Sequence, residues 1–274
     1  MLDSVSRQHE REEGGAVTDG AEEVLVARDG RVGYLTLNRP AAMNAITVRL
    51  GRELEAGVRD LSVLVDVIII RGAGGNFCVG GDVPELDRLR AAGRDALAEL
   101  FLAFRRALAA IAEVPVPVVA LVEGNAVAGG FELIQACDIA VAAADARLAD
   151  IHARFGQIPG GGSTQRLAKI VGMQRALGLI LTGDRISGAD AAHWGLVYRA
   201  VPAANLEHEV ADLVTRLATG SRPALAASKR LVRASAGVPL EEGLDLELAA
   251  VLDHLVGPAG DAAVAAFTER EGRK

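Results

Sequence analysis

Two short apolar runs constrain this chain more than any other feature: Val65 to Ile70, broken only by Asp66, and Val116 to Val122. A half-solvated strand alternates apolar and polar residues, whereas a run that is apolar at nearly every position has both faces covered. Runs of this kind belong to parallel sheets flanked by helices, and both are far shorter than the roughly 20 residues that cross a bilayer. Helical spacing of apolar residues fills the intervals, over Ile46 to Leu61, Asp95 to Ala112 and Gly130 to Ala136, and Asp138 to Ala142 gives another strand. Ahead of them, EVLVARDGRVGYLTLN alternates and breaks at Asp29-Gly30, which predicts a β-hairpin because Asp-Gly supplies the positive φ angles of a tight turn. Beyond residue 160 the pattern is mostly helical, over about 165 to 171, 174 to 181, 188 to 193, 205 to 218, 223 to 235, 240 to 255 and 259 to 270. The chain is therefore α/β, with a disordered tail over 1–22, an α/β core over 23–200 and a helical region over 201–274.

Composition removes several function classes. With Lys+Arg 29 against Asp+Glu 36 and a net charge of −7, the chain lacks the basic excess that neutralises phosphates, so no nucleic-acid partner is expected. No membrane association is expected, and without an apolar segment behind the first basic residues the expected address is the cytoplasm. Cys78 and Cys137 stand in apolar stretches without CxxC or Cys/His spacing, which argues against a disulfide scaffold and a zinc site alike.

The chemistry is expected at two glycine-rich turns that follow buried strands and lead into helices, RGAGGNFCVGGDVPEL at 71 to 86 and VEGNAVAGGFEL at 122 to 133. Glycine lets the backbone approach a ligand, and a helix start leaves N–H groups unpaired. Two such amides converging on one point make an oxyanion hole. Each loop taken alone also fits a plain tight turn. Neither matches GxxxxGK[ST] or the GxGxxG register, so no nucleotide cradle is expected.

The segments LNRPAAMNAIT, NFCVGGD, GNAVAGGFEL, QIPGGGSTQRLAKIVG and LTGDRISGADAAHWGLV resemble the enoyl-CoA hydratase/isomerase, or crotonase, superfamily, in that family's order over about residues 24 to 270. The resemblance implies a spiral of ββα units and a helical C-terminal trimerisation region, giving homotrimers or hexamers built as dimers of trimers. It also implies an acyl-CoA substrate of fatty acid metabolism, with CoA entering as part of that substrate and no metal or other cofactor. Carried over by position, the amides of Gly81 and Gly129 form the oxyanion hole, and Glu132 matches the family's first catalytic glutamate. The adenine would lie against residues 77 to 82, which brings in Phe77 and Val79, and Arg270 would approach the CoA phosphates. Ala41 and Ala42 stand where relatives often carry Lys or Arg, which weakens a full phosphate clamp.

The chain departs from the family at the second catalytic glutamate, where it carries His152. A histidine titrates near neutrality and can exchange a proton with substrate, or it can be a hydrogen-bonded structural residue facing elsewhere. Asp150 would share a strand face with His152 if that piece is extended, and would orient the imidazole or supply the carboxylate itself. Gly160 occupies the loop position from which some relatives take an aspartate. The implied activity is reversible hydration of a 2-enoyl-CoA. Isomerisation, or decarboxylation or hydrolysis of a CoA thioester, is the alternative, and a non-catalytic acyl-CoA binder is a further one.

Overall fold

The computed structural model describes residues 21–261 and Thr268. Most of the expected tail, most of the segment 259 to 270 and Arg270 lie outside the described residues. Strands β1 (Val24–Asp29) and β2 (Val32–Leu37) form the antiparallel hairpin, turning at Gly30 with φ +56°. There follow α1 (Val48–Ser62), β3 (Val67–Gly72), α2 (Val83–Ala92), α3 (Arg94–Glu113), β4 (Val118–Val122), β5 (Asn125–Val127) and α4 (Gly129–Ala136). Next come β6 (Ile139–Ala143), β7 (Arg147–Ala149), α5 (Ser163–Val171), α6 (Met173–Thr182), β8 (Arg185–Ser187), α7 (Gly188–His193) and β9 (Arg199–Val201). Helices α8 (Leu206–Ala218), α9 (Arg222–Ala234) and α10 (Leu240–Leu255) follow, and residues 258–261 are again helical.

One sheet runs in the order β1-β2-β3-β4-β6-β9, parallel from β2 onward, and a second runs β5-β7-β8. Successive turns of the chain give one strand to each sheet, β4 then β5, β6 then β7, and a helix closes each turn, which is the spiral of ββα units. β3 and β4 lie in the middle of the larger sheet, and Val67, Ile68, Ile70, Val118 and Val119 are fully buried there. Helix α1 starts where Thr47 Oγ1 accepts the Leu50 N–H at 2.9 Å, and it buries Leu50, Leu54, Val58 and Leu61. Burial of each such side chain stabilises the fold by about 1.5–3 kcal/mol. Gly51 lets α1 cross α3 closely, because a Cβ there would stand 3.1 Å from the Ala103 backbone.

The packed body continues past the sequence boundary at 200, since β9 pairs with β6 and α8 buries Leu206, Val210, Leu213 and Val214. Helix α9 is pinned by ion pairs, with Lys229 and Arg233 each 2.6 Å from the Asp138 carboxylate. Helix α10 buries no residue and leaves Leu244, Leu248, Leu252 and Leu255 exposed.

Candidate active site

The segment between β3 and α2 is clamped from two sides. Cys78 donates its N–H to Asn125 and accepts from Val127 on β5, while Gly80 accepts from Ile46 and Asp82 donates to Ile46. Asp82 then caps α2, accepting the Glu85 N–H at 3.0 Å, and Arg39 fixes the same carboxylate from 2.9 Å. Gly80 has φ +96°, and a Cβ on it would come within 3.1 Å of the Gly129 nitrogen, so the two glycine loops meet here.

The turn into α4 is strained as well as crowded. Ala128 sits at φ 48°, ψ −120°, outside the comfortable region of an L-residue, a cost of order 1–3 kcal/mol that clusters at functional sites. Its N–H donates to Ala149 and its carbonyl accepts from Glu132, which hold it there. At Gly130 a Cβ would stand 2.1 Å from the Cys78 carbonyl oxygen.

Among the described residues, the N–H groups of Val79, Gly81 and Gly129 have no hydrogen-bond partner. Planarity of the peptide group sets their direction: the Cys78 carbonyl faces Val127 and the Gly80 carbonyl faces Ile46, so the following N–H groups of Val79 and Gly81 point the opposite way. The Gly81 amide read from the sequence thus has a rival donor in Val79, which is half-buried where Gly81 is exposed.

Glu132, in the first turn of α4, is 1% exposed. Its Oε1 accepts the N–H groups of Gly161 at 2.7 Å and Ser163 at 3.0 Å, at the N-terminus of α5. These two amide donors went unnoticed in the sequence, although a glycine run opening a helix is the ordinary signature of an anion site. Arg166 secures the same loop by donating to the Gly161 carbonyl at 2.6 Å, and Gln135 bonds Ser163 Oγ at 2.9 Å. The other Glu132 oxygen, Oε2, faces His152 Nε2 at 4.0 Å.

His152 therefore points toward Glu132. The strand face expected to carry Asp150 and His152 does not form: β7 ends at Ala149, and His152 opens a single 3-10 turn over His152–Phe155. The turn brings the two side chains together more closely than an extended strand would, with Asp150 Oδ1 2.6 Å from His152 Nδ1. Phe77 corrects a second expectation: it is fully buried in the core and presents no surface to a ligand. Val79 keeps partial exposure, and Arg270 lies outside the described residues.

Residues 27–272 match the family model described as Enoyl-CoA hydratase/isomerase. The chain belongs to this family. A Rhizobium meliloti (strain 1021) protein named as a probable enoyl-CoA hydratase is 36% identical over 228 residues, covering 82% of this chain and 87% of that protein. The crystal structure of an enoyl-CoA hydratase from Polaromonas sp. JS666 superposes with TM-score 0.87 at 27% identity, over 90% of this chain and 97% of that one. A Thermobifida fusca YX structure in complex with acetoacetyl-CoA gives TM-score 0.79 at 29% identity, over 85% and 95% of the two chains.

Within this hydratase/isomerase family member both groups are shifted from their ordinary proton affinities by their surroundings. Burial pushes the Glu132 carboxyl above its ordinary range; the Ser163 N–H bond, the His152 charge and the Gly161 bond oppose it and Asp150 adds to it. Burial draws the His152 imidazole down, yet the hydrogen bond and charge of Asp150, with the charge of Glu132, leave it above its ordinary value. Glu132 Oε2 and His152 Nε2, 4.0 Å apart, stand beyond direct hydrogen-bond distance and can each reach one polar atom placed between them. Among the described residues no group of three or more His, Cys, Asp or Glu is placed to hold a metal ion.

Proposed function

We propose that the protein is an enoyl-CoA hydratase that adds water reversibly across the double bond of a 2-enoyl-CoA. The observation that carries this reading is the placement of Glu132 and His152 across a 4.0 Å gap beside the unpartnered Gly129 amide. Gly129 and an amide of the 79–81 turn, Val79 being the more sheltered, take the thioester oxygen. Negative charge arriving there during addition is stabilised by donors already in place, and one such donor is commonly worth about 10²–10³ in rate. Glu132 takes a proton from the water that bonds to the β-carbon. The enolate then collapses by taking the His152 Nε2 proton at the α-carbon. Glu132 returns its proton to His152, and the pair is reset with one water consumed.

The Thermobifida fusca relative crystallised with acetoacetyl-CoA supports a CoA thioester as the ligand class, and CoA enters only as part of the substrate. The exposed leucines of α10 fit a homotrimer, or a dimer of trimers, in which neighbouring copies cover them. Among the described residues no helix is long and apolar enough to cross a membrane, and the cytoplasm is the proposed address. Fatty acid metabolism is the proposed setting.

The test is loss of absorbance of the conjugated thioester with crotonyl-CoA and a longer 2-enoyl-CoA. Glu132→Gln and His152→Ala are each expected to lower kcat by at least about 10², the ordinary contribution of one acid/base group. Binding without loss of absorbance defeats the hydratase reading and leaves isomerisation, decarboxylation or thioester hydrolysis in the same hole. The histidine in place of the second glutamate is what favours that second reading. Binding without turnover of any acyl-CoA, unchanged in Glu132→Ala, leaves a non-catalytic binder.

A further inference from the structure

Asp150 is fully buried, its Oδ1 meets His152 Nδ1 at 2.6 Å, and its Oδ2 has no hydrogen-bond partner. A carboxylate sealed from solvent is costly unless a donor or cation offsets it. Among the described residues, its side-chain hydrogen bonds go to His152 alone. The main-chain bond from His152 N is long, at 3.4 Å, so the ring contact is the stronger of the two. A carboxylate that merely capped the turn would favour the main-chain donor.

The bond commits Nδ1, and it leaves Nε2 as the nitrogen that faces Glu132 at 4.0 Å. The other charged side chains nearby are engaged elsewhere. Arg154, on the same turn, donates to the Thr182 carbonyl at 3.2 Å and pairs with Asp184 at 3.5 Å; Arg166 of α5 donates to Gly161. The charges acting on the imidazole are therefore Asp150, on one edge, and Glu132 of α4, on the other.

We propose that Asp150 is a positioning residue: it accepts the His152 Nδ1–H, fixes the orientation of the ring and, in the imidazolium form, aims Nε2–H at the substrate α-carbon. The Asp-x-His pair thereby does with two residues what a single carboxylic acid would do at that position. This inference rests on His152 being the proton donor of the proposed hydration. In each turnover the imidazolium Nε2–H bond breaks as the C–H bond forms at the α-carbon, leaving a neutral imidazole whose Nδ1–H stays hydrogen-bonded to Asp150, and Glu132 supplies the proton that restores the imidazolium.

Asp150→Asn keeps the side-chain shape and removes the charge. It is expected to lower kcat about 10- to 100-fold, the usual effect of removing a residue that orients an imidazole, with KM little changed. The alkaline limb of kcat against pH moves to lower pH, because the imidazole then loses its proton sooner, and Asp150→Glu restores part of both. Loss of kcat with an unmoved limb, or a superimposable profile in folded Asp150→Asn, overturns the proposal. A second readout needs no turnover: in the ¹⁵N-histidine-labelled full chain, which has five histidines, the His152 ring is identified by its absence from His152→Ala. Its long-range ¹H–¹⁵N spectrum is expected to show a protonated Nδ1 and a titration midpoint that falls in Asp150→Asn. An unchanged midpoint overturns the positioning role. An enzyme that hydrates nothing but whose midpoint falls refutes the hydratase reading while sustaining the pairing.

Discussion

Adding a single methyl group at Gly161 attacks the proposed base without touching its chemistry. A Cβ there would lie 2.6 Å from Phe104 Cε1, 2.7 Å from Glu132 Oε2 and 2.9 Å from Glu132 Cδ. Ordinary carbon contacts are about 3.5–4.0 Å, so the ring or the carboxylate must yield by about 1 Å. Phe104 is 5% exposed and Glu132 1%, so neither has free space to move into. Overpacking of this kind costs about 1–3 kcal/mol of stability. The larger effect is on rate, because a misplacement of about 1 Å at a reacting group commonly costs about 10²-fold. Gly161→Ala is thus expected to lower kcat for crotonyl-CoA hydration by about 10² while leaving a folded protein with a modestly reduced Tm. Gly178→Ala on α6 is the control, since a Cβ there meets nothing within 4 Å, and it is expected to hold kcat and gain about 0.5–1 kcal/mol. A folded Gly161→Ala with wild-type kcat refutes the assignment of Glu132 as the group that handles water.

Three further outcomes are expected. Lys229 donates to the carbonyls of Ile111 at 2.7 Å and Val116 at 2.9 Å and pairs with Asp138, so Lys229→Met should cost about 3 kcal/mol by urea unfolding; a loss below about 1 kcal/mol contradicts this anchoring of α9. The Arg31 hydrogen bond, with the charges of Arg31 and Arg222, holds the Asp66 carboxyl below its ordinary value of 3.8 against the opposing effect of burial. The stability it supplies is whole above that value and lost as pH falls through the lowered one, so the urea-midpoint gap between wild type and Asp66→Asn should be full at pH 7 and close on acidification; a pH-independent gap counts against the ion pair. Burial pushes the Cys78 and Cys137 thiols up to about 12, so iodoacetamide at pH 8 should label neither until the protein unfolds, and rapid labelling of the native state would show a more open core.

The sequence was most legible where local chemistry and burial agree. Asp29-Gly30 gave the hairpin, the β-branched runs gave β3 and β4, and helical periodicity placed α1 and α3 within two residues of their observed ends. Short strands with three residues each, β5, β7, β8 and β9, escaped notice because so few residues show no period. Candidate site residues were legible one at a time: Glu132, His152, Asp150 and the glycines could each be named from type and spacing. Their relations were not. The extended piece expected through Asp150 and His152 is a tight turn after β7, and Phe77, next to the glycines in sequence, faces the core.

What the sequence determined by itself is the alternation of buried strands and amphipathic helices, the glycines that permit close backbone approach, and the substitution of histidine for a second carboxylate. These follow from side-chain type and period, which are local properties of the chain. Tertiary structure decided which charges meet. Glu132 and His152 are twenty positions apart yet 4.0 Å apart in space, and Gly161 and Ser163 aim their amides at Glu132 from another helix. Proton affinity depends on burial and on charges within a few ångströms, and that neighbourhood exists only once α4, α5 and the turn after β7 have packed together.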